Sequence, residues 1–201
     1  MCKTVFGITG ATGTGKSTVS EILRECGADV IDADRVSREV ACQGSECLCE
    51  LTEHFGREIL LEDGSLDRRK LGGIVFGDEK KLSVLTQITH KYIKQRIIEL
   101  ITQSKSRLCG IDGAVLIGSS MESLCEFMIS VIADTPTRLK RIMNRDDISE
   151  AYAKKRILSQ PDPDFYISHS DYVIENNGTY ADLAKKTKLL YDDILKNRIS
   201  S

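Results

Sequence analysis

Gly10-Ala11-Thr12-Gly13-Thr14-Gly15-Lys16-Ser17 has the G-x-x-x-x-G-K-S/T spacing of a phosphate-binding loop. Glycines let the backbone turn its N–H groups inward around phosphate oxygens. The lysine of such a loop reaches the β and γ phosphates, and the hydroxyl that follows is placed to coordinate Mg²⁺. The spacing predicts a nucleoside triphosphate held by Gly13, Thr14, Gly15, Lys16, Ser17 and Thr18, with Ser17 on the metal. The plainer reading, a glycine-rich turn with a solvated lysine, is opposed by context: an apolar stretch precedes the loop and an amphipathic one follows it.

Asp32-Ala33-Asp34 closes a second apolar stretch. In an open parallel sheet the carboxyl ends of neighbouring strands face one crevice, so a carboxylate there can meet an acceptor hydroxyl. Phosphoryl transfer needs a group that orients the attacking oxygen and takes its proton, and Asp34, just past the strand end, is the better placed, with Asp32 capping or bracing. The competing reading makes both aspartates caps for a helix through Val36 and Val40. Asp112 ends the apolar run Leu108-Cys109-Gly110-Ile111, where a Walker-B-type aspartate reaches Mg²⁺ through water; a turn aspartate before Gly113 is the alternative.

Arg138, Arg141 and Arg145 recur at i, i+3 and i+7 on a helix beginning near Pro136, and Arg156 lies farther on. They are expected to close over the phosphates, with Arg141 on the nucleotide and Arg145 on the transferring group, against the alternative of a solvated helix face. Asn176-Asn177-Gly178 is first a turn signal, but follows a strand end beside the nucleotide crevice and gives Asn177 a place against the base. A lone helical histidine is most often a packed residue, so His90 receives no catalytic role.

The elements that must position these residues follow from hydrophobic period. Val5 to Thr9 reads as a strand, Ser17 to Cys26 as a helix with Val19, Ile22, Leu23 and Cys26 on one stripe, and Asp29 to Asp32 as a second strand after the helix-ending Gly27. Leu108 to Asp112, Met128 to Ala133 and Tyr172 to Ile174 complete a mostly parallel five-stranded α/β sheet. The seventy or so residues between the second and third strands exceed any ordinary crossover. Leu82, Leu85, Ile88, Ile93, Ile97 and Leu100 keep helical spacing there, which predicts a helical insertion. Within it Asp63-Gly64-Ser65 supplies a turn, and Asp67 is placed to cap a helix through Leu71, Ile74, Val75 and Phe76. From Asn144 to Ser170 polar residues dominate, and Pro161 and Pro163 predict an irregular, mobile flap. Leu183, Leu190, Tyr191, Ile194 and Leu195 mark a closing helix. The expected organisation is one unit with a core of about residues 1–34, 107–143 and 171–201, an insertion of about 35–106 and a lid of about 144–170.

With 41% hydrophobic and 29% charged residues in 201, the chain is neither disordered nor low in complexity. Its 28 basic and 30 acidic residues leave a net charge of −2, which removes the long-range field that draws proteins to nucleic acid or acidic membranes. Met1 to Gly7 is too short an apolar stretch for a signal sequence and no run reaches a membrane span, so a cytoplasmic location is expected. Seven cysteines without a Cys-x-x-Cys pair read as reduced thiols, and the Cys42, Cys47, Cys49 group lacks the partner that a zinc site needs.

Taken in order, Gly10 to Thr18, Val30 to Asp34, Asp63-Gly64-Ser65-Leu66-Asp67-Arg68, Ile74 to Phe76, Ile88-Thr89-His90, Arg145-Asp146, Arg156-Ile157 with Gln160, and Asp171 to Gly178 resemble the dephospho-coenzyme A kinase family over nearly the whole chain. The resemblance implies a P-loop kinase fold with a helical acceptor-binding insertion and a lid. It also implies transfer of the γ-phosphoryl group of ATP, with Mg²⁺, to the ribose 3′-hydroxyl of dephospho-coenzyme A, a small-molecule acceptor. Asp34 would then face the acceptor hydroxyl, the loop to Thr18 would hold ATP, and the Arg145 region would belong to the lid. Asp112 to Gly118 departs from the family pattern by losing a proline and an acidic residue, Lys91 stands where the family has proline, and Asp162 to Tyr166 is unusual for the flap. Periodicity does not reveal which acceptor the insertion would choose, which leaves open a kinase for another nucleotide or small alcohol, and the altered Gly113 to Gly118 segment leaves open an ATP-binding protein that transfers nothing. A GTPase would carry a guanine-reading Asn-Lys-x-Asp element, and the chain has none.

Overall fold

The computed structural model describes residues 3–199, so Cys2, one of the seven thiols, lies outside the described residues. β1 (Thr4–Thr9) occupies the middle of a five-stranded sheet, paired in parallel with β3 (Leu108–Asp112) on one side and β4 (Phe127–Ile132) on the other. β5 (Tyr172–Glu175) pairs in parallel outside β4, and β2 (Asp29–Asp32) lies outside β3, giving the order β2-β3-β1-β4-β5. Pairing of Ile8 with Asp112 and of Thr9 with Ser130 points the carboxyl ends of three strands the same way, with β4 running two residues past the end of β1. The chain leaves β1 for one side of the sheet and reaches the other only at β4, so the segment after β1 emerges at the topological switch point, where ligands of open α/β sheets sit.

A central parallel strand is covered on both faces and must be apolar on both. Phe6 and Ile8 are fully buried, and the Phe6 ring stacks on Phe127 at 5.6 Å between centroids, with Tyr172 edge-on to Phe127 at 5.6 Å. α1 (Lys16–Glu25) and α9 (Tyr180–Ile194) cover this face with Val19, Ile22, Leu23, Leu183 and Ile194. Gly7 points the other way; a Cβ there would lie 2.3 Å from the Met128 sulfur and 2.7 Å from Leu116, so only glycine lets the chain after β3 settle on the strand.

Residues 144–170 differ from expectation. Instead of an irregular flap they form α7 (Glu150–Leu158) and α8 (Pro163–Ser168), capped by Ser149 and Asp162. Pro163 stands in the first turn of α8, where a helix has no use for its missing N–H, so it starts a helix rather than breaking one. α7 packs Ala153 and Ile157 against Ile142 of α6 (Thr135–Asp146), and α8 is tied to β4 by the Ser130 hydroxyl, which donates to the Tyr166 carbonyl at 3.1 Å.

Contacts divide the chain into two compact units, one running up to Ile31 and resuming at Ser104, the other Asp32–Gln103. The second holds α2 (Ala33–Val40), α3 (Glu46–Phe55), α4 (Arg68–Val75) and the long α5 (Glu79–Gln103) around Ala41, Cys47, Leu51, Ile59, Leu71, Val75 and Ile88. Asp67 caps α4 by accepting from the Lys70 N–H at 2.9 Å. Phe76, expected on that helix, lies just beyond its end in extended backbone with its ring exposed. Asp63 and Ser65 close a turn with Gly64 at φ +80°, and the Ser65 hydrogen bonds hold the Asp63 carboxyl below the usual range. Lys91 ties α5 to α3 by donating to Glu50 at 2.8 Å, beside the Tyr92 hydroxyl, which donates to the same oxygen at 2.7 Å.

Truncation of a fully buried sheet residue leaves a cavity as well as losing transfer energy, so Ile129→Ala is expected to lower unfolding stability by about 2–5 kcal/mol in urea titrations. Val173→Ala on the exposed edge strand is expected to cost no more than about 1 kcal/mol.

Candidate active site

The phosphate loop joins β1 to α1. Gly13 and Gly15 take left-handed backbone, φ +80° and +92°. A Cβ on Gly15 would stand 2.3 Å from the Asn176 amide nitrogen, and one on Gly13 would stand 2.9 Å from the Arg138 carbonyl, so neighbours as well as dihedrals require glycine. Gly15 begins α1 with no side chain to cap it, and the first turn carries no acid. The leading N–H groups are thereby left for an anion, with the positive end of the helix dipole behind them.

Turning amides outward sends carbonyls inward, and each carbonyl from Ala11 to Gly15 meets a donor. Ala11 accepts from the Thr14 hydroxyl at 2.8 Å, Thr12 from Arg138 Nε at 2.9 Å, and Gly13 from Arg141 Nη1 at 3.3 Å. Thr14 accepts from Asn176 Nδ2 at 2.8 Å and Arg141 Nη1 at 3.4 Å, and Gly15 from the Val19 N–H at 3.2 Å. Thr14 is itself buried, with both its hydroxyl and its N–H turned to Ala11, so its side chain closes the loop instead of facing a phosphate.

Lys16 forms an ion pair with Asp112 at the end of β3. The other Asp112 oxygen accepts from the buried Ser20 hydroxyl at 2.7 Å. Ser20, one helical turn beyond Lys16, fixes the carboxylate from below. Ser17 is exposed on the first turn of α1 and Thr18 half-buried.

The arginines do not form one solvent-facing cationic row. Arg138 is buried; it forms no ion pair among the described residues, and burial pulls its guanidinium below its ordinary range. Arg141 bonds loop carbonyls and Asn176. Arg145 is exposed and paired with Asp146 at 2.7 Å, and Arg156 joins the same carboxylate. Those two cations hold the Asp146 carboxyl down at about 2, the Arg145 hydrogen bond being the larger cause. Both Arg138 and Arg141 point at the loop's carbonyls because buried carbonyls need donors.

Asn177 follows β5, as the sequence reading has it, and is bonded at both ends. Its side-chain oxygen accepts from the Asp134 N–H at 2.8 Å and its amide nitrogen donates to Glu175, so it braces the start of α6. Its buried neighbour Asn176 is the residue that touches the loop. Asp32 caps α2 by accepting from the Arg35 N–H at 2.9 Å, leaving Asp34 exposed in the first turn of that helix and not a cap. His90 is half-buried on α5. Cys47 is buried, which pushes its thiol up to about 11, while Cys42 and Cys49 are exposed. No group of three or more potential ligands among the described residues is arranged to hold a metal. Likewise, no helix among them is long and apolar enough to cross a membrane.

Ser20, which the motif reading did not name, and Asn176 and Gln160, which it named without this role, support the loop and its lysine's partner. Ser20 was within reach, because its i+4 spacing from Lys16 puts both on one helix face. Asn176 and Gln160 meet the loop only after more than a hundred intervening residues, and local periodicity carries no trace of that.

The family model described as dephospho-CoA kinase matches residues 4–182. The chain is 36% identical over 201 residues to a dephospho-CoA kinase of Listeria innocua, covering 98% of this chain and 100% of that one. It is 38% identical over 196 residues to one of Bacillus cereus, covering 96% of each. Among solved structures, a protein of Thermus thermophilus superposes with a TM-score of 0.81 at 26% identity, covering 96% of this chain and 99% of that one. Dephospho-CoA kinase from Campylobacter jejuni superposes at 0.68 and 28%, covering 98% and 100%. Shikimate kinase from Acinetobacter baumannii, at 0.53 and 19% identity with 98% and 96% covered, shares the fold. With the match running from β1 into α9 and the phosphate loop whole within it, the chain belongs to the dephospho-CoA kinase family.

Proposed function

We propose that this chain moves the γ-phosphoryl group of ATP to the ribose 3′-hydroxyl of dephospho-CoA, releasing CoA and ADP in the last step of CoA biosynthesis. The observation that carries this reading is the family match across residues 4–182, which takes in the phosphate loop, the Asp34 strand end and the helical insertion. ATP would bind with its phosphates on the free amides at the start of α1. Lys16 then exchanges Asp112 for phosphate oxygens, and Ser20 keeps the released carboxylate in place. Arg141 and Asn176 serve the nucleotide through the loop carbonyls they hold. As the ribose oxygen bonds to the γ phosphorus and the bond to ADP breaks, Asp34 accepts the hydroxyl proton. Arg145, on the exposed end of α6, offers its charge to the transferring group.

The donor set suits Mg²⁺, since the exposed Ser17 hydroxyl and the Asp112 carboxylate are hard oxygen donors, and magnesium takes few protein ligands beside phosphate oxygens and water. When bound, the ion would neutralise charge building on the phosphates. We place the reaction in the cytoplasm, which suits the six unpaired thiols among the described residues.

Incubation with Mg-ATP and dephospho-CoA is expected to give the 3′-phosphorylated product by mass spectrometry, and none from the 3′-deoxy analogue. Product from other nucleotides but not from dephospho-CoA would overturn the acceptor assignment. Lys16→Ala is expected to lower turnover by about 10²-fold or more with an unchanged circular dichroism spectrum, because the charge on the phosphates is lost and the core is untouched. Asp34→Asn is expected to lower kcat by about 10²–10⁴-fold while KM for ATP stays near the parent value, as befits a group acting on the acceptor. A rise in KM for ATP alone would give Asp34 another role.

A further inference from the structure

Thr12, the third residue of the phosphate loop, has all its polar groups engaged from one stretch of chain. Its N–H donates to Gln160 Oε1 at 2.9 Å, its carbonyl accepts from Arg138 Nε at 2.9 Å, and its hydroxyl accepts from Arg145 Nη2 at 3.4 Å. Arg138 Nη2 also donates to Gln160 Oε1 at 3.1 Å. An atom that accepts from two donors is the amide oxygen, so the orientation of the Gln160 side chain is fixed by its partners. Gln160 stands in the short link between α7 and α8. α7 packs on α6 through Ala153 and Ile157, and α8 is anchored on β4 through the buried Tyr166. A second chain of contacts runs from Thr12 to Arg145, then Asp146, then Arg156 in α7.

Arg138 was expected to face phosphates, yet it is buried and its donors go to Thr12 and Gln160. Gln160 takes up the Thr12 N–H, which therefore does not point at an anion. Neither side chain is a phosphate ligand. Both fix where the loop stands, and the amides that follow, from Gly13 onward, inherit that position.

We propose that Gln160 and Arg138 are positioning residues that transmit the placement of the α7–α8 link to the phosphate loop through Thr12, so that the segment after α6 sets the affinity of the loop for nucleotide phosphates. This rests on the reading that the loop holds ATP, but not on the identity of the acceptor. Movement of α7 would be felt at Thr12 before any side chain of that segment reached the nucleotide.

The test combines hydrogen exchange at the Thr12 amide with ADP titration and steady-state kinetics on the full chain. In the parent protein without nucleotide the Thr12 amide is expected to be protected. Gln160→Ala is expected to lose protection there while the Val19 amide keeps its own, and to weaken ADP binding and raise KM for ATP by about tenfold with kcat nearly unchanged, the scale of one lost hydrogen bond. Gln160→Glu, which still presents two acceptor oxygens, is expected to restore Thr12 protection. Arg138→Lys, which keeps the charge but cannot bond Thr12 and Gln160 together, is expected to weaken ADP binding in the same way. An unprotected Thr12 amide in the parent, unchanged ADP affinity in Gln160→Ala, or exchange that rises equally at Thr12 and Val19 would each overturn the proposal. Failure of the parent to phosphorylate dephospho-CoA, with these exchange and ADP responses intact, would remove the acceptor assignment and leave the proposal standing. Failure of the parent to bind ADP would overturn both.

Discussion

A loop that presents its amides to an anion has to find donors for the carbonyls it turns the other way. Much of the sheet-bearing unit can be understood from that requirement. Five successive carbonyls, Ala11 to Gly15, are met by Thr14, Arg138, Arg141, Asn176 and Val19. Two of these donors are guanidinium groups on one face of α6 and one is the amide that follows β5, so the sheet order β1-β4-β5 is what brings them beneath the loop. A buried carbonyl without a partner costs on the order of 1–3 kcal/mol, so five left unmet would be comparable to the whole net stability of a domain, about 5–15 kcal/mol.

The same logic accounts for the charges. Arg138 is a buried cation that meets no carboxylate among the described residues, a costly arrangement unless its N–H groups are well bonded, and Thr12 and Gln160 supply acceptors. Lys16 and Asp112 neutralise each other beside the loop, and Ser20 gives the carboxylate a second hydrogen bond. Were Lys16 drawn away, the aspartate would keep that donor. Lys16, Arg138, Arg141 and Arg145 all stand at or beside the loop, the first paired with Asp112 and the other three bonded to loop atoms.

The chemistry-bearing motif was legible because its context is local. Strand, glycine loop and helix succeed one another within some twenty residues, and hydrophobic period marks all three. All five strands were legible for a similar reason, each being a short apolar run bounded by polar residues or glycine. What misled was the reading of single residue types without partners. Pro163 looked like a breaker and is a helix start, because the Asp162 cap gives it a first turn to occupy. Asn177 braces the start of α6 through the Asp134 N–H, a contact that the turn signal of Asn176-Asn177-Gly178 does not carry.

By itself the sequence determined the five strands, the helices that follow the phosphate loop and close the chain, the place of that loop and the residue types able to bind a triphosphate, since apolar period and glycine spacing are properties of neighbouring residues. It also carried the family, through ordered motifs that extend from β1 to the end of β5. Only the tertiary structure decided which arginines support the loop, that Lys16 rests on Asp112, and that Gln160 and Asn176 reach residues 12 and 14. Those facts depend on pairing groups more than ninety residues apart, and a hydrogen bond is selected by distance in space, to which separation along the chain gives no guide.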